Sequence, residues 1–195
     1  MALVTNVKVG NITNLSDARY CAGMGVQRLG INVITGTDTY VSAAQWSDIT
    51  SWISGPRTVV EVYRIKTSED FHEIERLYKP DYFEMGLHEY TLLKKDLATS
   101  VMLKITSELQ KFTIPELNKD KNIESLIVCE DDVNAIAGLN QAKNLFIIPN
   151  GSKNIVGLLT TFPNASFSLS GSSEEKPGLK NYDELSAVLE QLEEV

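Results

Sequence analysis

Lys8-Val9-Gly10-Asn11-Ile12-Thr13-Asn14 ends an apolar run that begins at Leu3. Ser170-Gly171-Ser172-Ser173-Glu174-Glu175-Lys176-Pro177-Gly178-Leu179-Lys180-Asn181 follows a second such run, Ala165 to Leu169. In both places a β-branched-rich segment gives way to small and polar residues that favour a turn. The first turn leads to Asn14 and Asp17, three apart, the spacing at which a side-chain oxygen accepts an orphan helix amide and the third residue reaches back. The second leads to Leu185, Val188, Leu189 and Leu192, apolar at helical spacing. Each end of the chain therefore reads as strand, loop, helix.

The same unit recurs between them. Further apolar runs lie at Arg28 to Val33, Thr58 to Tyr63, Tyr82 to Met85, Val101 to Ile105, Ile123 to Val128 and Leu145 to Ile148, which makes eight candidate strands. Helical spacing separates most of them, as in Phe71, Ile74, Leu77 and Tyr78, or Trp46, Ile49 and Ile53, and Cys21 falls among Ala18, Ala22 and Met24 on a packing face. Ser42 with Gln45 repeats the cap spacing, while Gly25 and Gly55-Pro56 supply stops. The weakest unit runs from Leu109 to Asn122, where Pro115 interrupts and the pattern predicts a short or irregular helix. Alternating strands and helices pair in parallel through right-handed crossovers. Eight such units favour a closed (β/α)8 TIM barrel over an open doubly wound sheet, as one domain spanning residues 1–195 and near the lower size limit for that fold.

Composition narrows the function classes. With 43% hydrophobic residues the chain can bury one core, and a net charge of −8 without a Lys/Arg stripe gives nucleic acid no electrostatic foothold. No stretch of about eighteen apolar residues and no basic-then-apolar leader appears, so the expectation is a cytoplasmic protein without a membrane partner. Cys21, Cys129, His72 and His88 have no metal-ligand spacing, and neither a metal nor a cofactor is expected. The oligomeric state is not fixed by the sequence.

In a barrel of this kind the loops after the strands' C-terminal ends build the site, and the last two commonly hold a phosphate on main-chain amides. Here they are Asn150-Gly151-Ser152 and Ser170-Gly171-Ser172, small enough for an oxyanion to approach the backbone, with hydroxyls as added donors. The same residues would also serve two plain tight turns. His88, after the fourth strand, could titrate near neutrality or simply lie exposed. Glu130-Asp131-Asp132 could bind a cation or complement a helix dipole.

The opening and closing segments resemble those of the phosphoribosylanthranilate isomerase family, (β/α)8 barrels of tryptophan biosynthesis. The likeness runs nearly end to end and is specific at the two termini. It implies an Amadori rearrangement of a phosphorylated aminoribose, with a base on the first strand and an aspartate acid ending the sixth, and a phosphate held at the seventh and eighth loops. The family's Lys-Ile-Cys-Gly-Ile-Thr-Asn opening places its cysteine base at Gly10, and its acid near Cys129 or Glu130. Its Gln-Leu-His-Gly turn corresponds to Glu84-Met85-Gly86-Leu87, and an arginine before the second helix to Thr39. The resemblance thus implies a phosphorylated small-molecule ligand with the usual mechanism lost or altered. The alternative is a non-catalytic barrel that binds a small ligand or a partner protein.

If the residue at position 10 points into the barrel mouth, Lys8 shares its face. Glu61, Glu84 and Lys104 each break an apolar strand run, which predicts an inward charge cluster. Burying an isolated charge costs on the order of 20 kcal/mol by the Born argument, so these groups must pair. The cluster then serves either as a structural polar layer or as a new acid–base set made of Lys8, Glu61, Glu84 and Glu130.

Overall fold

The computed structural model describes residues 2–107, 113–142, 144–171, 174–176 and 179–193. Eight parallel strands close into a barrel in simple sequence order: β1 (Val7–Gly10), β2 (Arg28–Asn32), β3 (Arg57–Glu61), β4 (Tyr82–Gly86), β5 (Val101–Lys104), β6 (Ile123–Cys129), β7 (Leu145–Ile148) and β8 (Ser166–Ser170). Helices follow the strands in turn: α1 (Leu15–Gly23), α2 (Ala43–Thr50), α3 (Ser68–Tyr78), α4 (Leu87–Leu93), α5 (Ile114–Lys119), α6 (Glu130–Val133), α7 (Ile155–Thr161) and α8 (Asp183–Gln191). Between β8 and α8 a short antiparallel pair, β9 (Glu174–Lys176) and β10 (Leu179–Lys180), occupies the connection. Closure is made by β1 on β8, with Val7 opposite Phe167, Lys8 opposite Ser168 and Gly10 opposite Ser170.

Strand alternation sorts the side chains into two cores. Outward residues such as Val9, Ile31, Val60, Phe83, Leu103 and Ile147 pack beneath the helices. Inward residues Val59, Met102, Ile127 and Phe146 fill the lower barrel as a separate apolar plug, with Tyr82 and Ile148 against it. The plug's floor is charged. Arg28 makes a bidentate pair with Glu124 at 2.8 and 2.9 Å, its guanidinium 4.6 Å from the Tyr82 ring and 4.7 Å from that of Phe146. Glu124 reaches inward because the β5–β6 register slips there: Val101 faces Ile123 but Met102 faces Ser125, so Glu124 is the extra residue.

The start signals behave as read. Asn14 accepts from the Asp17 amide at 2.9 Å, and Ser42 with Gln45 forms a reciprocal capping box. Asp17 reaches back to the Thr13 amide, one residue before the cap, and also accepts from the Tyr182 hydroxyl at 2.6 Å, tying α1 to the segment before α8. Three expectations change. Pro115 sits in the first turn of α5, after the Thr113–Glu116 box, so it opens that helix, where its missing N–H has no partner to lose. Leu77 of α3 faces solvent while Phe71 and Tyr78 are buried. The first strand begins at Val7, because Leu3 and Val4 leave the barrel to pair with Glu193 and Leu192 at the far end of the chain. Among the described residues no helix is long and apolar enough to cross a membrane.

Candidate functional site at the barrel mouth

Lys8, Glu61 and Glu84 meet inside the barrel above the apolar plug. The Lys8 ammonium donates to Glu61 Oε1 at 2.6 Å and is ion-paired with Glu84 Oε2; the Tyr63 hydroxyl donates to Glu84 Oε1 at 2.6 Å. Register explains the need for a cation. Glu61 and Glu84 are directly opposite each other on adjacent strands, a like-charge pair that only an inserted positive group makes tolerable. Lys8 is 2% exposed. Burial alone would lower its pKa, but the two carboxylates raise it above the ordinary lysine value, so it stays an ammonium. Burial raises the Glu61 carboxyl, Lys8 opposes that and Glu84 adds to it, with a net upward shift. Burial and then the Glu84 charge push the Tyr63 phenol upward.

The cluster also accounts for two glycines. A Cβ on Gly10 would lie 2.5 Å from Glu61 Oε1 and 3.1 Å from Lys8 Nζ. One on Gly30 would lie 2.6 Å from the same carboxylate oxygen and 2.7 Å from Lys8 Cε. The volume a side chain at position 10 would need is taken by the Lys8–Glu61 pair. A cavity of about 250 Å³ opens above it, lined by Lys8, Glu61, Tyr63, Glu84, Lys104 and Ser168 among others. Lys104 makes no ion pair within 4 Å among the described residues.

A second cavity of about 290 Å³ lies under the loops after β7 and β8, lined by Gly151, Ser168, Ser170, Gly171, Asn181 and Glu184 among others. Ile148, Ser168, Leu169 and Ser170 line both cavities, so the two are neighbours at one rim. Several donors there are engaged. The Asn150 amide donates to Glu130 Oε2 at 2.7 Å and its side chain to Asp131 at 2.6 Å, while Asn154 donates to Glu130 Oε1. The Gly171 amide donates to the Gly10 carbonyl at 2.9 Å, and the Ser170 hydroxyl accepts from Asn11 at 2.6 Å. Gly151, at φ 84°, and Ser152 remain as that rim's small residues, with the Glu184 carboxylate beside Gly151. Ser172 lies outside the described residues.

The structure thus joins Lys8, Glu61 and Glu84 with Lys104 around one cavity, and puts Glu130 instead in a clasp that holds the β7 loop. His88 is exposed on α4, and Cys21 is buried between α1 and the sheet. Among the described residues no group of three His, Cys, Asp or Glu could hold a metal ion. Tyr63 and Glu89 join the site without a local sequence signal. Tyr63 ends the apolar run of β3 and continues the inward face of Val59 and Glu61. Glu89 is buried on α4 and accepts the amide of Arg64, whose φ of 64° is uncommon for a residue with a side chain.

No protein-family model and no curated protein matches this sequence, yet solved structures superpose on nearly all of it. A monomeric form of the dimeric phosphoribosylanthranilate isomerase of Thermotoga maritima matches at a TM-score of 0.76 and 14% identity, over 98% of this chain and 100% of its own. The fold is that of phosphoribosylanthranilate isomerases. The enzyme from Thermus thermophilus matches at 0.74 and 16%, over 96% and 98% of the two chains. A phosphoribosylanthranilate isomerase in complex with reduced 1-(o-carboxyphenylamino)-1-deoxyribulose 5-phosphate matches at 0.75 and 16%, over 95% and 97%. The likeness at these identities is one of fold.

Proposed function

We propose that this barrel is a phosphoribosylanthranilate isomerase-like protein that binds a phosphorylated, sugar-like small molecule across the two cavities of its mouth. The phosphate would rest on the Gly151, Ser152 and Ser170 side, and the sugar would extend toward Glu61 and Lys104. The observation that carries the reading is the shared rim: glycines and serines line one cavity, an ion cluster floors the other, and the two have four residues in common. The structural neighbour's ligand, a deoxyribulose phosphate, has the matching order of groups. A cytoplasmic setting and a step near tryptophan biosynthesis belong to the same reading.

The base-and-acid mechanism implied for the family is replaced. Gly10 carries no ionisable group, and the Lys8–Glu61 pair fills the space one would need. Thermal unfolding followed against inorganic phosphate, ribulose 5-phosphate and the reduced deoxyribulose phosphate tests the binding. A ligand at a hundred times its Kd adds about 2.7 kcal/mol of native-state stability by mass action, which is a rise of about 5–11 °C in Tm at this chain length. A steady-state assay with phosphoribosylanthranilate should show no turnover at an ordinary enzyme's rate. Absence of a shift with all three ligands would remove the reading in favour of a partner-binding barrel, and ordinary turnover would show the mechanism intact.

A further inference from the structure

The four ionisable candidates differ in how many atoms they have left to offer. Lys8 is enclosed between two carboxylates and fully buried. Glu84 gives one oxygen to Lys8 and the other to Tyr63, and both Glu130 oxygens accept from the β7 loop. Glu61 differs from these: Oε1 accepts from Lys8, whereas Oε2 accepts from no donor among the described residues, and the residue lines the mouth cavity. Lys104 lines the same cavity without an ion-pair partner among the described residues. A carboxylate with one free oxygen, fixed by a buried ammonium and facing an unpaired ammonium, is an arrangement suited to moving a proton on carbon.

We propose that Glu61 transfers protons to and from the carbon next to the carbonyl of the bound sugar phosphate, with Lys104 holding the enolate oxygen; this rests on the binding reading above. In the forward step the C–H bond breaks and its proton goes to Glu61 Oε2. The electron pair becomes the C=C bond of an enediolate, whose oxygen faces the Lys104 ammonium. Return of the proton from Glu61 to the carbon it left restores the original carbonyl compound; return to the neighbouring carbon gives the isomer when the hydroxyl proton of the first carbon passes to the enolate oxygen, and no co-reactant is consumed. Burial raises the Glu61 carboxyl above the ordinary carboxylate value, which makes its ionised form a stronger proton acceptor. Lys8 is a positioning residue in this scheme, and Glu84 and Tyr63 hold it in place.

The test is deuterium wash-in, with ribulose 5-phosphate incubated in D2O with the protein and followed by proton NMR at the carbons flanking the carbonyl. Wild type should exchange these hydrogens well above buffer, with a rate that rises with pH through a single ionisation. Glu61→Gln should lower the exchange at least about a hundredfold while keeping the thermal shift with the same sugar phosphate. Lys104→Gln, a half-buried position without an ion pair, serves as the second variant: it should remain folded and slow the exchange. A wild type that is stabilised by the sugar phosphate but shows no exchange overturns the role of Glu61 and leaves the binding reading intact. Exchange unchanged in Glu61→Gln also overturns it. No stabilisation of wild type removes both.

Discussion

Replacing Gly10 by alanine probes the steric account of the mouth directly. The added Cβ would sit 2.5 Å from Glu61 Oε1, about 0.9 Å inside ordinary contact at 3.4 Å. Glu61 must then leave Lys8, since the strand backbone at Gly10 is fixed by its pairing with β8. A charge-assisted hydrogen bond of this kind contributes about 1.5–3 kcal/mol, and the stiffer unfolded chain returns about 0.4–1 kcal/mol. The net loss is about 0.5–2.5 kcal/mol, a fall of about 1–10 °C in Tm. Thermal and urea unfolding of Gly10→Ala, Glu61→Ala and the double variant give the coupling. In the Glu61→Ala background the clash is gone, so Gly10→Ala should be neutral or slightly stabilising. If it costs the same with and without the glutamate, the two residues do not compete for one space and the explanation of Gly10 fails.

Other outcomes follow from the same geometry. Glu61 has a raised pKa in the folded state, so the native protein holds its proton over a window opening near the ordinary value of 4.5. Stability attributable to it is therefore lost as pH rises through that window, and wild type should weaken relative to Glu61→Gln from about pH 4.5 upward in unfolding curves. At the barrel floor, Glu124→Ala strands Arg28 between two rings and should cost about 3 kcal/mol, whereas the paired replacement Arg28→Met with Glu124→Leu should recover most of it. Glu184 stands beside the loop proposed to hold phosphate. Glu184→Gln should tighten inorganic phosphate about three- to tenfold at low salt, less as salt rises, measured by calorimetry. Asn14→Ala should lower stability by about 1 kcal/mol through loss of the α1 cap.

The barrel was legible because a parallel strand buried on both faces writes an apolar run, and eight of them recur at regular spacing. The ion cluster was legible for the opposite reason: Glu61, Glu84 and Lys104 are the polar interruptions in those runs, and alternation places Lys8 on the face of Gly10. What could not be read depends on register or on two loops meeting. Glu124 turns inward only because a one-residue slip breaks the alternation, and nothing local marks that slip. Asn150 was a donor for an anion in the sequence, but Glu130 and Asp131 arrive from the preceding strand's loop and engage it. Pro115 looked like a break because its position relative to the cap at Thr113 decides whether it starts or ends a helix.

The two inward glycines constrain how this mouth could change over time. Installing a thiol at position 10 before shortening residue 61 forces a collision, and shortening residue 61 first leaves Lys8 with a single counter-ion. Either order of substitution passes through a weakened intermediate. A side chain at position 10 is therefore accommodated in this mouth only together with a change at position 61.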